Sequence, residues 1–346
     1  MLCKTIKTFY SDFDDKKFFE TVFDEMWHTK ELKQRMRHIS KTLGDFIPNS
    51  YKDSINILIL VFQSLSDKRY LENMIFQDFV EVYGLDDFKT SMKALEVFTV
   101  DSSSEFAIRQ FILKYPKETM QQMETWTQSS NEHHRRLASE GSRSRLPWAC
   151  ALNDFKKDPS DVIDILEILK DDSSEYVRKS VANNLNDISK DNPDIVKDLA
   201  SRWIGHSKQR DALLKHGCRT LLKESDREIL NLFGFENTAE ISLKNFTLNS
   251  EVEWGGELEF SFDIVSEKTL GKLRIEYILE FLRQNSKYSK KVFKIQDGEY
   301  DTSIKSVTKK HSFREISTRK YYAGVQKISV VINGKVYANA EFSILS

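Results

Sequence analysis

Between His133 and Ala149 the chain reads HHRRLASEGSRSRLPWA, which crowds four arginines, two histidines, one carboxylate and one tryptophan into a short stretch. Arg135, Arg136, Arg143 and Arg145 are of the type that neutralises phosphates, Glu140 is an acid held among them, and Trp148 offers a flat face beside Pro147. Two further acids, Glu105 and Asp187, stand in segments of similar pattern. An acid facing a polyanion costs binding energy through repulsion. That loss is tolerable where chemistry needs the acid, for instance where positive charge develops on a sugar as its base departs. Taken singly, each acid also has a plain structural explanation. Arg136 and Glu140 are four apart and can pair along a helix, Asp187 can answer Arg178 or Lys190, and Glu105 can favour a helix start.

The elements that must position these groups follow from periodicity. Up to about Phe233, apolar residues recur three and four apart, with short breaks that carry Pro, Asp or Ser, which predicts helices in succession. The run from Glu175 to Leu185 can be laid on Glu132–Glu140 and more loosely on Ala212–Leu222, and Phe106–Ile112 begins in a similar way. This offset is that of helix pairs stacked as an α-solenoid, whose second helices line one continuous concave wall. Arg109, Arg135, Arg178 and Lys215 recur at one repeat position, which predicts a row of cations along that wall. Such a row binds acidic peptides or cradles a phosphate backbone. Arg143, Arg145, Lys179 and Arg219 join it as candidate phosphate contacts, about half of the set being expected to touch DNA. The amides of Asn183 and Asn184 favour the backbone reading.

Beyond about Thr238 the period changes to two. Glu257–Ile264, Arg274–Leu279 and Ala340–Ile344 alternate as half-buried strands, and Asn333-Gly334 between Lys327–Ile332 and Lys335–Tyr337 signals a hairpin. We therefore expect a helical domain over residues 1–235 and a β-sandwich over 238–346, joined by Gly234–Glu240. From Glu240 onward there are 17 basic and 14 acidic side chains, so this part is mildly positive and the rest mildly negative. Its basic runs, Lys287–Lys294 and Lys305–Lys320, either block strand pairing at sheet edges or bring a loop to DNA along the minor groove.

Composition narrows the classes. Lys plus Arg is 52 against 53 for Asp plus Glu, so any nucleic-acid contact must use a local patch rather than a global basic excess. Cys3, Cys150 and Cys218 are scattered, without disulfide or metal spacing, and His133, His134, His206 and His216 do not complete a zinc set. No basic-then-apolar leader opens the sequence, and its longest apolar run, around Ile55–Phe62, is too short for a bilayer. These features predict a soluble, cytoplasmic protein. Phe13, Phe18, Phe19, Phe23 and Trp27 fall at helical spacing and are expected to form core or cap. No Gly-rich phosphate loop or nucleophile elbow is found.

Four segments, Ser104–Arg109, Arg135–Arg143, Arg145–Ala149 and Tyr176–Asp187, resemble the HEAT-like repeat DNA glycosylases that repair alkylated bases, specifically the AlkC type. The likeness spans roughly Phe13–Phe233, and the β-rich tail resembles the immunoglobulin-like domain that some members carry. The resemblance implies a monofunctional glycosylase acting on N3-methyladenine and N3-methylcytosine in double-stranded DNA, a monomer without metal or organic cofactor. It further implies that Glu105, Glu140 and Asp187 flank the deoxyribose, with Trp148 as aromatic neighbour. Within that picture Glu140 and Asp187 are the expected pair for electrostatics and water positioning, with Glu105 assisting. The alternative is a non-catalytic repeat scaffold that binds DNA or acidic protein partners.

Overall fold

The computed structural model describes residues 1–65, 70–236, 241–317 and 319–345. Its helices are α1 (Leu2–Phe9), α2 (Asp15–Val22), α3 (Leu32–Phe46), α4 (Tyr51–Ser64), α5 (Met74–Tyr83), α6 (Phe88–Phe98), α7 (Ile108–Lys114) and α8 (Pro116–Thr127). They continue with α9 (Glu132–Gly141), α10 (Asn153–Lys157), α11 (Ser160–Leu169), α12 (Glu175–Ile188), α13 (Pro193–Trp203), α14 (Lys208–Gly217), α15 (Arg219–Lys223) and α16 (Arg227–Leu232). The strands are β1 (Ile241–Leu248), β2 (Glu251–Val252), β3 (Glu257–Ser266), β4 (Gly271–Leu282), β5 (Tyr288–Tyr300), β6 (Ile304–Ser312), β7 (Gly324–Ile332) and β8 (Lys335–Ile344). Helices thus give way to strands where the hydrophobic period changes. Residues 237–240 of the expected linker, and with them the expected start of the second domain at Thr238, lie outside the described residues.

By internal packing the chain forms two compact units, Met1–Asn192 with Gly205–Gly217, and Pro193–Ile204 with Cys218–Ser346. The cut differs from the change of period, because α13, α15 and α16 group with the strands. Lys197 on α13 pairs with Asp226 at 3.1 Å, at the start of α16, and α15 packs on β5. The Asn333 amide donates to the Glu236 carbonyl at 3.3 Å.

In the first unit, helices that recur in the sequence pattern pack side by side: α9 lies on α12, α12 on α14, and α8 and α11 back them. The entry of α9 is fixed by Asn131, whose side-chain oxygen accepts from the His133 amide at 2.9 Å. At its other end Gly141 leaves no room for a side chain, since a Cβ there would stand 2.7 Å from Ile108 Cγ2. The α9–α12 seam is made of small polar residues. The Ser139 and Ser180 hydroxyls lie within hydrogen-bond distance at 3.0 Å, and the Asn184 amide donates to the Ser139 carbonyl at 2.8 Å. The N-terminal aromatics divide: Phe13 and Phe18 are buried, while Phe19 and Phe23 are exposed.

In the second unit a three-stranded sheet, β1-β3-β6, faces a five-stranded one, β2-β8-β7-β4-β5. Alternate residues of β3 (Leu258, Phe260, Phe262, Ile264) meet Leu273, Ile275, Tyr277 and Leu279 of β4 in one core. The β7–β8 turn has φ +48° at Asn333 and +77° at Gly334, the left-handed pair that a two-residue hairpin of this kind requires. The expected basic runs lie along outermost strands, Lys287 standing just before β5 and Lys305 on β6. Unpaired strand edges are where lysines block further pairing.

Candidate active site

Glu105 lies in the turn before α7, Glu140 on the last turn of α9, and Asp187 near the end of α12. Three separate elements thus bring the acids into one string of ion pairs. Arg136 donates to Glu105 at 2.7 Å and lies 3.7 Å from Glu140. Arg143 donates to Glu140 at 2.6 Å and to Asp187 at 2.7 Å, and Lys190 closes the series on Asp187 at 3.0 Å. Carboxylates and cations alternate along it, so the acids are held among phosphate-attracting groups without a net anionic patch that would repel a polyanion. The second oxygen of Glu140 accepts from the Ser180 hydroxyl at 2.7 Å, and Arg136 also donates to Ser103 Oγ at 2.9 Å and lies over the Tyr176 ring at 4.8 Å.

Burial sets the electrostatics. Glu140 and Asp187 are buried, and the Glu105 side chain is nearly so. Burial raises the Glu105 carboxyl above the ordinary glutamate value even with Arg136 opposing it. Burial alone would make the Arg136 and Arg143 guanidiniums easier to deprotonate, but their carboxylates outweigh it, and both are held more firmly protonated than usual.

A cleft of about 780 Å³ opens over this string. Glu105, Glu140, Arg143 and Ser103 line it, Trp148 and Pro147 stand at its side, and its wall is apolar, with Leu32, Met36, Leu71, Met74 and Phe106. Asp187 is not among the lining residues; it stands behind Arg143, only 2% of its side chain exposed. Trp148 is 78% exposed and has φ +61°, in the left-handed region.

The predicted row of cations is corrected by the geometry. Arg109 is fully buried and donates to the carbonyls of Gly141, Arg143 and Cys150, so no phosphate can reach it. Arg135 is bound to Asp172 at 2.6 Å and donates to the Ser129 and Ser130 carbonyls, while Arg178 donates to the Asp172 and Ser173 carbonyls. Both therefore grip carbonyls five and six residues upstream, closing the turn that feeds their own helix. The repeat register was legible, but at these two positions its purpose is to close a turn. Asn184 is buried in the α9–α12 seam, and Arg143 is committed to Glu140 and Asp187. Arg145, paired with Asp191 at 2.5 Å, and Lys179, paired with Glu175 at 2.8 Å, present solvent-facing charge. Asn183, Lys215 and Arg219 are half-buried. The sequence places Arg136 among the phosphate-neutralising arginines, with pairing to Glu140 along the helix as the plain alternative, and gives no role to Ser103, Tyr176 or Ser180. Ser180 stands two turns before Asp187 on α12, Tyr176 lies farther up the same helix and Ser103 lies in the loop before Glu105, and such spacing does not separate a buried network from a solvated face.

The class to which the fold belongs is that of the DNA alkylation repair enzymes: the model of that family matches residues 92–219, and the C-terminal Ig-like domain of the uncharacterised protein YhaZ matches 242–346. The chain is 42% identical over 341 residues to the uncharacterised protein YhaZ of Bacillus subtilis, covering 98% of this chain and 94% of that one. It is 33% identical to the alkylpurine DNA glycosylase AlkC of Pseudomonas fluorescens, solved bound to DNA containing an abasic site analogue, with a TM-score of 0.95 over 100% of this chain and 96% of that one. The chain belongs to this AlkC-type family of DNA alkylation repair proteins.

Proposed function

We propose that the protein is a DNA glycosylase of base excision repair that hydrolyses the N-glycosidic bond of cationic alkylated bases, N3-methyladenine and N3-methylcytosine, in double-stranded DNA. The observation that carries this reading is the buried string Glu105–Arg136–Glu140–Arg143–Asp187, with two of its acids opening on a cleft beside an exposed tryptophan. A base that already bears positive charge needs no strong general acid to leave. The work falls on the sugar, where cationic charge grows as the bond lengthens, and carboxylates fixed nearby favour that state over the ground state. Glu140 and Glu105 face the deoxyribose and the attacking water in this account. Asp187 acts from behind, through Arg143, as a positioning group. Trp148 supplies a stacking or cation–π face to the lesion. The reaction consumes water and leaves an abasic site in an unbroken strand. The test is incubation of the purified protein with methylated duplex: both free bases should appear with alkali-labile abasic sites, and an absence of base release would remove the proposal.

The raised Glu105 carboxyl gives this activity a pH signature. The anion is the useful form, and the folded protein takes up its proton at a higher pH than a free glutamate. Single-turnover excision should therefore fall on acidification, beginning above the ordinary glutamate value of about 4.3. Glu105→Gln should flatten that limb while lowering the plateau.

Duplex binding should follow the corrected map of cations. Lys179→Ala and Arg145→Ala are expected to weaken affinity for undamaged duplex, and each to reduce the slope of log K against log salt by about 0.9 for every phosphate that is no longer neutralised. Asn184→Ala should leave that slope unchanged, since its amide faces α9. Slopes measured by anisotropy titration at several salt concentrations decide the matter.

A further inference from the structure

Arg109 is fully buried, and its hydrogen bonds run to backbone carbonyls rather than to a carboxylate. One of its terminal nitrogens donates to the Gly141 carbonyl at 3.1 Å and the Arg143 carbonyl at 2.6 Å. Its other nitrogens donate to the Cys150 carbonyl, at 2.9 Å from Nε. These acceptors belong to the two legs of the loop that leaves α9 and returns at Leu152, a loop closed at its base by the Leu152 amide on the Ser144 carbonyl at 3.1 Å. Trp148 stands at the tip of this loop, and there Lys33 donates to its carbonyl at 2.6 Å.

We infer that Arg109 is a positioning residue: a single guanidinium that clamps both legs of the loop and so sets two things at once, the place of Trp148 beside the cleft and the backbone of Arg143. The planar fork suits this task because its donors point in fixed directions, so both legs are held in one register. The left-handed tip needs such support, since a non-glycine residue in that conformation persists only where its surroundings fix it. Arg143 in turn joins Glu140 to Asp187, so the clamp ties the aromatic face and the carboxylates to one frame. A lysine at 109 keeps the charge but reaches only one leg at a time.

The kinetic part of this inference rests on the glycosylase reading; the exchange part does not. Arg109→Lys and Arg109→Gln should speed amide hydrogen exchange across residues 143–152 at least ten-fold, with the amides of α12 unchanged. With methylated duplex, both variants should lose about ten-fold or more in kcat while KM stays within about two-fold, and Lys should retain more activity than Gln. Unchanged exchange in the loop would overturn the clamp. Faster exchange with unaltered kcat would overturn its bearing on the reaction, as would a raised KM with kcat intact, which would make Arg109 a binding group. Lys33→Met unties only the exposed tip and keeps the inference open to refutation if neither Arg109 variant folds. It should speed exchange at the amides of Trp148 and Ala149 and lower kcat, and the absence of both effects would overturn the need for a held tip. If wild type releases no base while the exchange results are as expected, the reaction assignment fails and the clamp stands.

Discussion

Glu140→Gln is expected to slow excision of N3-methyladenine by about 10²–10³-fold, or about 2.7–4 kcal/mol of lost transition-state stabilisation, the range found when one preorganised oxyanion-hole donor, a group with the same task toward charge of the opposite sign, is removed. The amide is close in shape to the carboxylate, so its oxygen can still accept from Arg143 and its nitrogen can face the Ser180 hydroxyl, which accepts as well as donates. The fold therefore has no reason to change. What is lost is one negative charge beside the sugar. Arg136 and Arg143 then lack part of their counter-charge, so affinity for duplex should hold or tighten while kcat falls. A fall in affinity with kcat preserved would instead mark Glu140 as part of a binding surface.

Arg274→Met is the second large effect, and it acts on stability. Arg274 and Glu276, both on β4 and both buried, pair at 2.5 Å, with Asp297 3.5 Å from the guanidinium. Removing the cation strands Glu276 in a site with no exposure, which should destabilise the protein by about 3–5 kcal/mol. The pair itself is imperfect, since Arg274 Nε and one Glu276 oxygen make no hydrogen bond. Replacing both residues together, Arg274→Met with Glu276→Leu, should accordingly be close to neutral. Burial raises the Glu276 carboxyl in the folded state even with Arg274 opposing it. The folded protein therefore binds that proton at a higher pH than the unfolded chain, and stability falls as pH rises through the interval between the two. Without Arg274 the interval widens upward. The deficit of Arg274→Met relative to wild type should grow as pH rises above the ordinary glutamate range and shrink as pH falls back into it, which urea melts at several pH values can follow.

The parts of this molecule that were legible in the sequence are those where one local rule decides. The change from helical to strand period, the Asn333-Gly334 turn and the membership of Glu105, Glu140 and Asp187 in related segments all came from patterns a few residues long. The fate of the arginines was not legible, because an arginine that grips a carbonyl and one that awaits a phosphate have the same spacing and the same neighbours in sequence. Arg135 and Arg178 recur because each helix pair needs its turn closed; Arg109, at the same position, was turned inward to the loop of Trp148. The division into compact units was hidden for a similar reason. Nothing in the letters of α13, α15 and α16 distinguishes helices that group with the other helices from helices that group with the strands. Asp187 shows the same limit at the site itself. Its segment marked it as one of three acids, but only the placement of Arg143 sets it behind the cleft rather than in it.

The measurement that bears most directly on the buried carboxylates is side-by-side release of N3-methyladenine and N3-methylcytosine from methylated duplex by wild type, Glu140→Gln and Asp187→Asn, each shown to be folded and to bind duplex. The account predicts base release by wild type and a fall of at least about a hundred-fold in Glu140→Gln, with a smaller fall in Asp187→Asn, whose acid acts through Arg143. Release at the wild-type rate by both variants would contradict it.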